Sequence, residues 1–206
     1  MRYRDLGVLT YNRERTMSGF TLIAPLPTKS VYLIGMRGEV LHQWTLESYP
    51  GNYTYLLPNG NLLAAINTPK GPKKFQAKGG KIQEIAWDGT VVWEYRDDNQ
   101  HHDFRRCDNG NTIYLGWEIL PPAPATRVQG GRPGTEHEDG IYSDYIREVN
   151  LAGETVWEWH AHENLEIEKY PNAPTAPRSA WAHPNSIQPL ANGDVLVSWR
   201  HNNLIA

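Results

Sequence analysis

The chain has 206 residues, a formal charge of −3, 21% charged residues, eight Trp, eleven Tyr, eighteen Gly and fifteen Pro. Such a balance suits one sizeable core, or two small ones, made of many short strands cut by turns. With no run of Lys or Arg it gives no electrostatic footprint for nucleic acid, no stretch is apolar for long enough to span a bilayer, and Cys107, the single cysteine, leaves no internal disulfide.

The N-terminal stretch MRYRDLGVLTYNRERT has no apolar core of signal-peptide length. A cytoplasmic location is therefore expected, or a periplasmic one if a leader has been removed. GFTLIAPLP and VYLIGMR-Gly38-EVLHQW follow as about three strands. Next come YTYLLP-Asn59-Gly60-NLLAAI and KIQEIAWD-Gly89-TVVWEY, then DFRRCD-Asn109-Gly110-NTIYLG and DYIREVNLA-Gly153-ETVWEW, and finally SIQPLA-Asn192-Gly193-DVLVSW. Asn-Gly between apolar strands predicts a two-residue type I′ hairpin with positive φ at both central residues.

Gly60 and Gly110 are 50 residues apart, and Gly38 and Gly89 are 51 apart. That is the period of a four-stranded propeller blade. The expected fold class is all-β, a β-propeller of four-stranded blades, with 1–206 as one partial domain. Blade-like repeats fall around 19–48, 51–98, 101–160 and 181–206, with insertions at 118–140 and 161–180. Long loops of this kind are usually lids or binding loops, surface decoration being the alternative. About three blades are present, whereas closed propellers have roughly four to eight. The expectation is an N-terminal portion of a longer, six-bladed protein, or a homodimer in which two copies close the ring.

Aligning the units on their Asn-Gly turns brings polar residues to shared positions. Ten residues before the turn glycine stand Pro50, Gln100 and His183; eight before it stand Asn52, His102 and Asn185; seven after it stand Asn67, Trp117 and Arg200. A hairpin returns the start of its first strand and the end of its second to one edge, so His183, Asn185 and Arg200 gather at one rim. Strand alternation places His102, His183 and Asn185 on one face and His101 with Pro184 on the other. In a propeller the first strand of each blade lines the central channel, where ligands often bind. The plainer alternative is that these side chains satisfy loop backbone groups. Trp44, Trp93 and Trp157 read as packing residues between blades, and His42, His160 and His162 as half-buried sheet residues. Asp97, Asp98 and Asp103 read as turn or solvated positions, with Asp103 able to orient a histidine. Glu136, His137, Glu138 and Asp139 form a polar cluster suited to holding a metal or reaching over the rim.

Taken together, HHDFRRCDNGNTIYL, HEDG…SDYIREVNLAGETVWEW and WAHPNSIQPLANGDVLVSWR resemble the bacterial arylsulfotransferase family, over nearly the whole chain from SGFTLIAPL onward. The resemblance implies a six-bladed propeller that moves a sulfuryl group from an aryl sulfate to a phenolic acceptor without the nucleotide donor PAPS. It also implies a covalent sulfohistidine, two further histidines and an arginine at the central channel. Carried over by motif, the catalytic candidates are His102 of the HHD pair, His183 of HPNS and Arg200 of VSWR. His101, Asn185 and Trp181 are the substrate-binding candidates, with Trp199 and Tyr53 also able to flank an aryl ring. No metal and no cofactor are assigned, and the partners are small aryl sulfates and phenols. The family's nucleophilic histidine belongs to a later blade with no counterpart here, so the 206 residues alone are expected to be inactive. Guanidinium and imidazolium donors would stabilise the charge on the transferring group. Two other readings fit the same residues. One is a metal-dependent propeller hydrolase or lyase using His102, His183 and the acidic insertion; the other is a non-catalytic binding propeller.

Overall fold

Sixteen strands and two short helices make up the computed structural model, which describes residues 7–72, 75 and 78–206. Strands β1 (Thr21–Ile23), β2 (Ser30–Ile34) and β3 (Val40–Thr45) form a three-stranded antiparallel sheet. Strands β4 (Pro50–Leu56), β5 (Leu62–Asn67), β6 (Gly80–Ile85) and β7 (Val91–Arg96) form the next, a four-stranded meander in sequence order. The third sheet begins with β8 (Gln100–Arg106) and β9 (Thr112–Ile119). The chain then leaves it for helix α1 (Pro122–Arg127) and β10 (Gly130–Arg132), and returns for β11 (Tyr142–Val149) and β12 (Thr155–His160). Helix α2 (Ala161–Asn164) and β13 (Asn172–Pro177) lead to a last sheet of β14 (Pro184–Pro189), β15 (Val195–Trp199) and β16 (Leu204–Ile205). The class is all-β, an arc of propeller blades.

Why the sheets stack is legible in their middle strands. Strand β5 reads Leu-Leu-Ala-Ala-Ile and is buried on both faces. Leu62, Ala64 and Ile66 pack on Val31, Leu33, Trp44 and Leu46 of the first sheet. Leu63 and Ala65 pack the other way, with Phe104, Tyr114 and Tyr145 of the third. Strand β9 repeats this: Ile113 and Leu115 join Ile187, Val197 and Trp199 of the last sheet. A strand covered on both faces needs a continuous apolar run rather than alternation. Strand β8 touches β4 on one side and β14 on the other, so the first strands of successive sheets are neighbours.

The turns differ from expectation. In the six hairpins closed by Gly38, Gly60, Gly89, Gly110, Gly153 and Gly193, the turn glycine N–H bonds back three residues and the residue opening the turn bonds to the one closing it, as in Gly110 N–H to Cys107 O (2.9 Å) and Cys107 N–H to Asn111 O (2.8 Å). Only the glycine is left-handed, with φ of 86° at Gly60, 86° at Gly110 and 90° at Gly193. This is a type I turn closed by a glycine bulge, not a type I′ turn. The asparagine instead caps the turn with its side chain. Asn109 Oδ1 accepts the N–H of Asn111 at 2.9 Å, and Asn59 and Asn192 do likewise two residues on.

The inserted segments also depart from the sequence reading. Glu118 and Ile119 still belong to β9, opposite Ser143 and Tyr142. Further on, β10 of the first excursion pairs in parallel with β13 of the second, Gly130 against Asn172, so the two insertions form one small sheet. Trp44 Nε1 donates to Ala86 O at 3.1 Å and Trp93 Nε1 to Leu151 O at 3.0 Å, each reaching the outer turn of the next sheet. Trp157 does not repeat this and is 39% exposed, since the last sheet has three strands and offers no such turn among the described residues.

Candidate functional site

Strands β8 and β14 both break their ladder where the histidines stand. The β8–β9 register shifts between His101 and Phe104, and the β14–β15 register shifts between Pro184 and Ser186. His102 (φ 45°), Ala182 (φ 73°) and His183 (φ 50°) adopt left-handed backbone. Such conformations cost free energy in non-glycine residues and persist only where the surroundings hold them. The expected separation of His101 from His102 by strand parity therefore fails. The kinked backbone turns both rings into one cluster, with Nδ1 of each 2.8 Å apart.

The cluster contains four imidazoles. His101 lies flat on Trp117 (centroids 4.3 Å apart, 12°) and His201 lies flat on His183 (4.5 Å, 12°). His102 stands edge-on to both His101 (5.0 Å, 88°) and His183 (4.9 Å, 85°). Burial pushes the pKa of His101 and His102 down to about 3 and that of His183 to about 2; neighbouring imidazoles and Arg200 add to it for the latter two. The His201 pKa is lowered as well, by burial first and by Arg200. The rings are therefore neutral near pH 7, unlike the imidazolium donors expected from the sequence. His201 Nδ1 donates to Ala180 O at 3.1 Å, so its Nε2 carries the lone pair. His183 Nδ1 is buried and finds no hydrogen-bond partner.

Arg200 supplies the positive charge. It follows β15, its N–H donates to His183 O at 3.1 Å, and its side chain is exposed. Its charge acts on His102, His183 and His201. The group that holds the histidines is Asp144 on β11, 1% exposed. Its Oδ2 accepts the His183 N–H at 2.9 Å, and its Oδ1 lies 3.1 Å from His101 Nε2, off the hydrogen-bond line. Burial raises the Asp144 pKa well above the carboxylate range.

Other sequence assignments move. Asn185 is exposed and sits inside the register shift, so it does not share a face with His183. Trp181 is fully buried in the core, its Nε1 bonded to Tyr170 O at 2.9 Å, and is closed to an aryl ring. Asp103 does not orient a histidine; its Oδ2 accepts the Ile187 N–H at 2.9 Å and ties β8 to β14. Asp97 is a turn residue, its Oδ1 accepting the Asn99 N–H at 3.0 Å, but not a solvated one, since Oδ2 accepts Tyr114 OH at 2.7 Å and Arg147 at 2.9 Å. In the acidic insertion Glu136 pairs with Arg178 and His137 stacks on Phe75. His137, Glu138 and Asp139 there line a cavity of about 630 Å³ that shares Trp117 with the imidazole cluster. His201, Asp144 and Trp117 escaped the sequence reading as site residues. Adjacency to Arg200 was the one available signal for His201; Asp144, in a strand that also carries Ser143, Arg147 and Glu148, gave none.

Among solved structures the chain is similar to the WD40 β-propeller domain of Doa1, with a TM-score of 0.50 and 14% identity over 90% of this chain. The chain spans 45% of that protein's length. Two more are a protein of unknown function from Bacteroides caccae (TM-score 0.45, 15% identity, 92% of this chain and 72% of that one) and BamB from Moraxella catarrhalis (0.31, 14%, 89% and 71%). The comparison with curated proteins returns no match. The first of these likenesses carries the propeller fold and nothing of its function. The arylsulfotransferase (ASST) family model matches residues 28–206, from the second strand through the histidine and arginine cluster, and the chain belongs to that family.

Proposed function

We propose that this chain binds an aryl sulfate and takes part in passing its sulfuryl group to a phenolic acceptor, with His102, His183 and Arg200 as the working residues. The observation that supports this most is the convergence of neutral imidazoles from two blades beside one exposed guanidinium. Arg200 presents a planar fork of donors to the non-bridging sulfate oxygens. The unpartnered Nδ1 of His183 is a polar atom awaiting a ligand. A neutral imidazole near pH 7 can take a proton or attack an electrophile.

In the net reaction, the bond between sulfur and the donor's aryl oxygen breaks and one between sulfur and the acceptor's oxygen forms. The acceptor's hydroxyl proton passes to an imidazole, for which His102 is the choice, and returns to the departing phenolate. His101 and Asp144 hold His102 and His183 in place. The nucleophile of a sulfohistidine route is not assigned to any of these rings.

The test is titration of the chain with an aryl sulfate, followed by calorimetry. Saturable binding that inorganic sulfate competes away, and that Arg200→Ala weakens at least about tenfold, supports the reading. No saturable binding, or binding indifferent to Arg200→Ala, sinks it. The same samples supplied with a phenol report transfer. Sulfated phenol that disappears in His102→Asn would make His102 part of the chemistry.

A further inference from the structure

A second cluster of titratable groups lies on the third blade, made of residues other than the stacked imidazoles. Among the described residues, Glu118, His160 and His162 are the group whose potential ligand atoms all lie within 4.8 Å of one another. Glu118 lies near the end of β9, His160 ends β12, and His162 opens the second excursion in α2. His160 ends the strand and His162 stands in the first turn of α2, and both rings reach Glu118 while Ala161 between them is buried in the core. His160 Nδ1 lies 2.8 Å from Glu118 Oε2 and His162 Nδ1 lies 3.1 Å from Glu118 Oε1.

The far nitrogen of His160 is backed as well. His160 Nε2 lies 2.8 Å from Glu158 Oε1, and Glu158 is in turn held by Arg147. His162 Nε2 lies 3.9 Å from Glu163 Oε1. Carboxylate behind imidazole is how proteins fix the tautomer of a metal-ligating histidine and raise its basicity. A simple hydrogen-bonded pair would account for one histidine on Glu118. It does not account for two imidazoles aiming the same nitrogen at the two oxygens of one carboxylate, with a further acid behind His160.

We propose that Glu118, His160 and His162 form a binding site for one first-row divalent cation of the zinc type. Two imidazole nitrogens and one carboxylate are a donor set such ions favour. On binding, the cation takes the place of the proton on each Nδ1; a neutral ring keeps its one proton on Nε2, and a doubly protonated ring releases one to solvent. Three protein ligands leave a coordination position for water or a substrate oxygen. Glu118 also lines the 630 Å³ cavity beside Trp117. The ion would bind the start of the second excursion to the blade. This inference is independent of the sulfuryl-transfer reading, which uses other residues.

The experiment uses the chain stripped with chelator and titrated with Zn²⁺ by calorimetry. Expected is about one equivalent bound, with Glu118→Gln and His162→Ala each weakening it at least about tenfold. Glu158→Gln keeps all three ligands and should weaken binding by roughly 10- to 100-fold. His137→Ala should leave it unchanged. X-ray absorption on the zinc-loaded wild-type chain provides a readout that needs no variant. Imidazole nitrogen and carboxylate oxygen at about 2.0–2.2 Å support the site. An all-oxygen shell, a sulfur neighbour, absence of binding, or binding unaffected by the ligand substitutions overturns it.

Discussion

The carboxylate of Asp144 accepts the backbone N–H of His183 at 2.9 Å, and so holds the left-handed residue on which the fourth sheet's histidine turns inward. Burial drives Asp144 towards its neutral form. Asp144→Asn keeps an oxygen for the His183 N–H and should lower stability by under about 1 kcal/mol. Asp144→Ala strands that buried N–H and should cost about 1–3 kcal/mol. Urea unfolding of the two variants checks this. Equal losses would mean that the charge, not the acceptor, holds His183.

Acid should loosen the site. His101, His102 and His183 have folded pKa values of about 3, 3 and 2, well below that of a free imidazole. The unfolded chain thus binds more protons between these values and about pH 6.5, so stability is fully present above pH 6.5 and is lost as pH falls. At pH 5 the loss is up to about 2 kcal/mol for each ring. His102→Asn, a residue tolerant of left-handed backbone, removes one such ring. Its unfolding free energy should fall less steeply between pH 7 and pH 5 than that of the wild-type chain. An unchanged slope would show that His102 titrates normally.

The tryptophans should separate by position. Trp44 is 1% exposed and its indole N–H reaches the next sheet, whereas Trp157 is 39% exposed. Trp44→Phe removes one of two donors to the Ala86 carbonyl, which keeps the Gly89 N–H, and leaves a void in the packed core, and should cost about 1–3 kcal/mol. Trp157→Phe should stay within about 0.5 kcal/mol. Thermal unfolding distinguishes them, and a Trp157 cost equal to that of Trp44 would refute the difference in burial.

Turn chemistry gives a further test. Gly110 is left-handed while Asn109 is not. Gly110→Ala should destabilise by about 1–2 kcal/mol. Asn109→Gly, favourable in a type I′ turn, should instead destabilise, because it adds backbone freedom and deletes the bond to the Asn111 N–H. A stabilising Asn109→Gly would restore the type I′ turn.

The strand pattern and its blade period could be read from the sequence because both are local. Asn-Gly and Asp-Gly fix where a strand turns, and runs such as Leu-Leu-Ala-Ala-Ile require cover on both faces. The rim containing His102, His183 and Arg200 could be read for the same reason, since a hairpin returns its ends to one edge. Sequence did not decide which way the rings point. Alternation assumes an unbroken ladder, and the ladder breaks at His102 and His183, so His101 joined the cluster while Asn185 left it. Asp144, 39 residues from His183, and the pairing of the two insertions depend on which sheets stack. Contacts between sheets depend on packing across blades, which spacing along one chain does not encode.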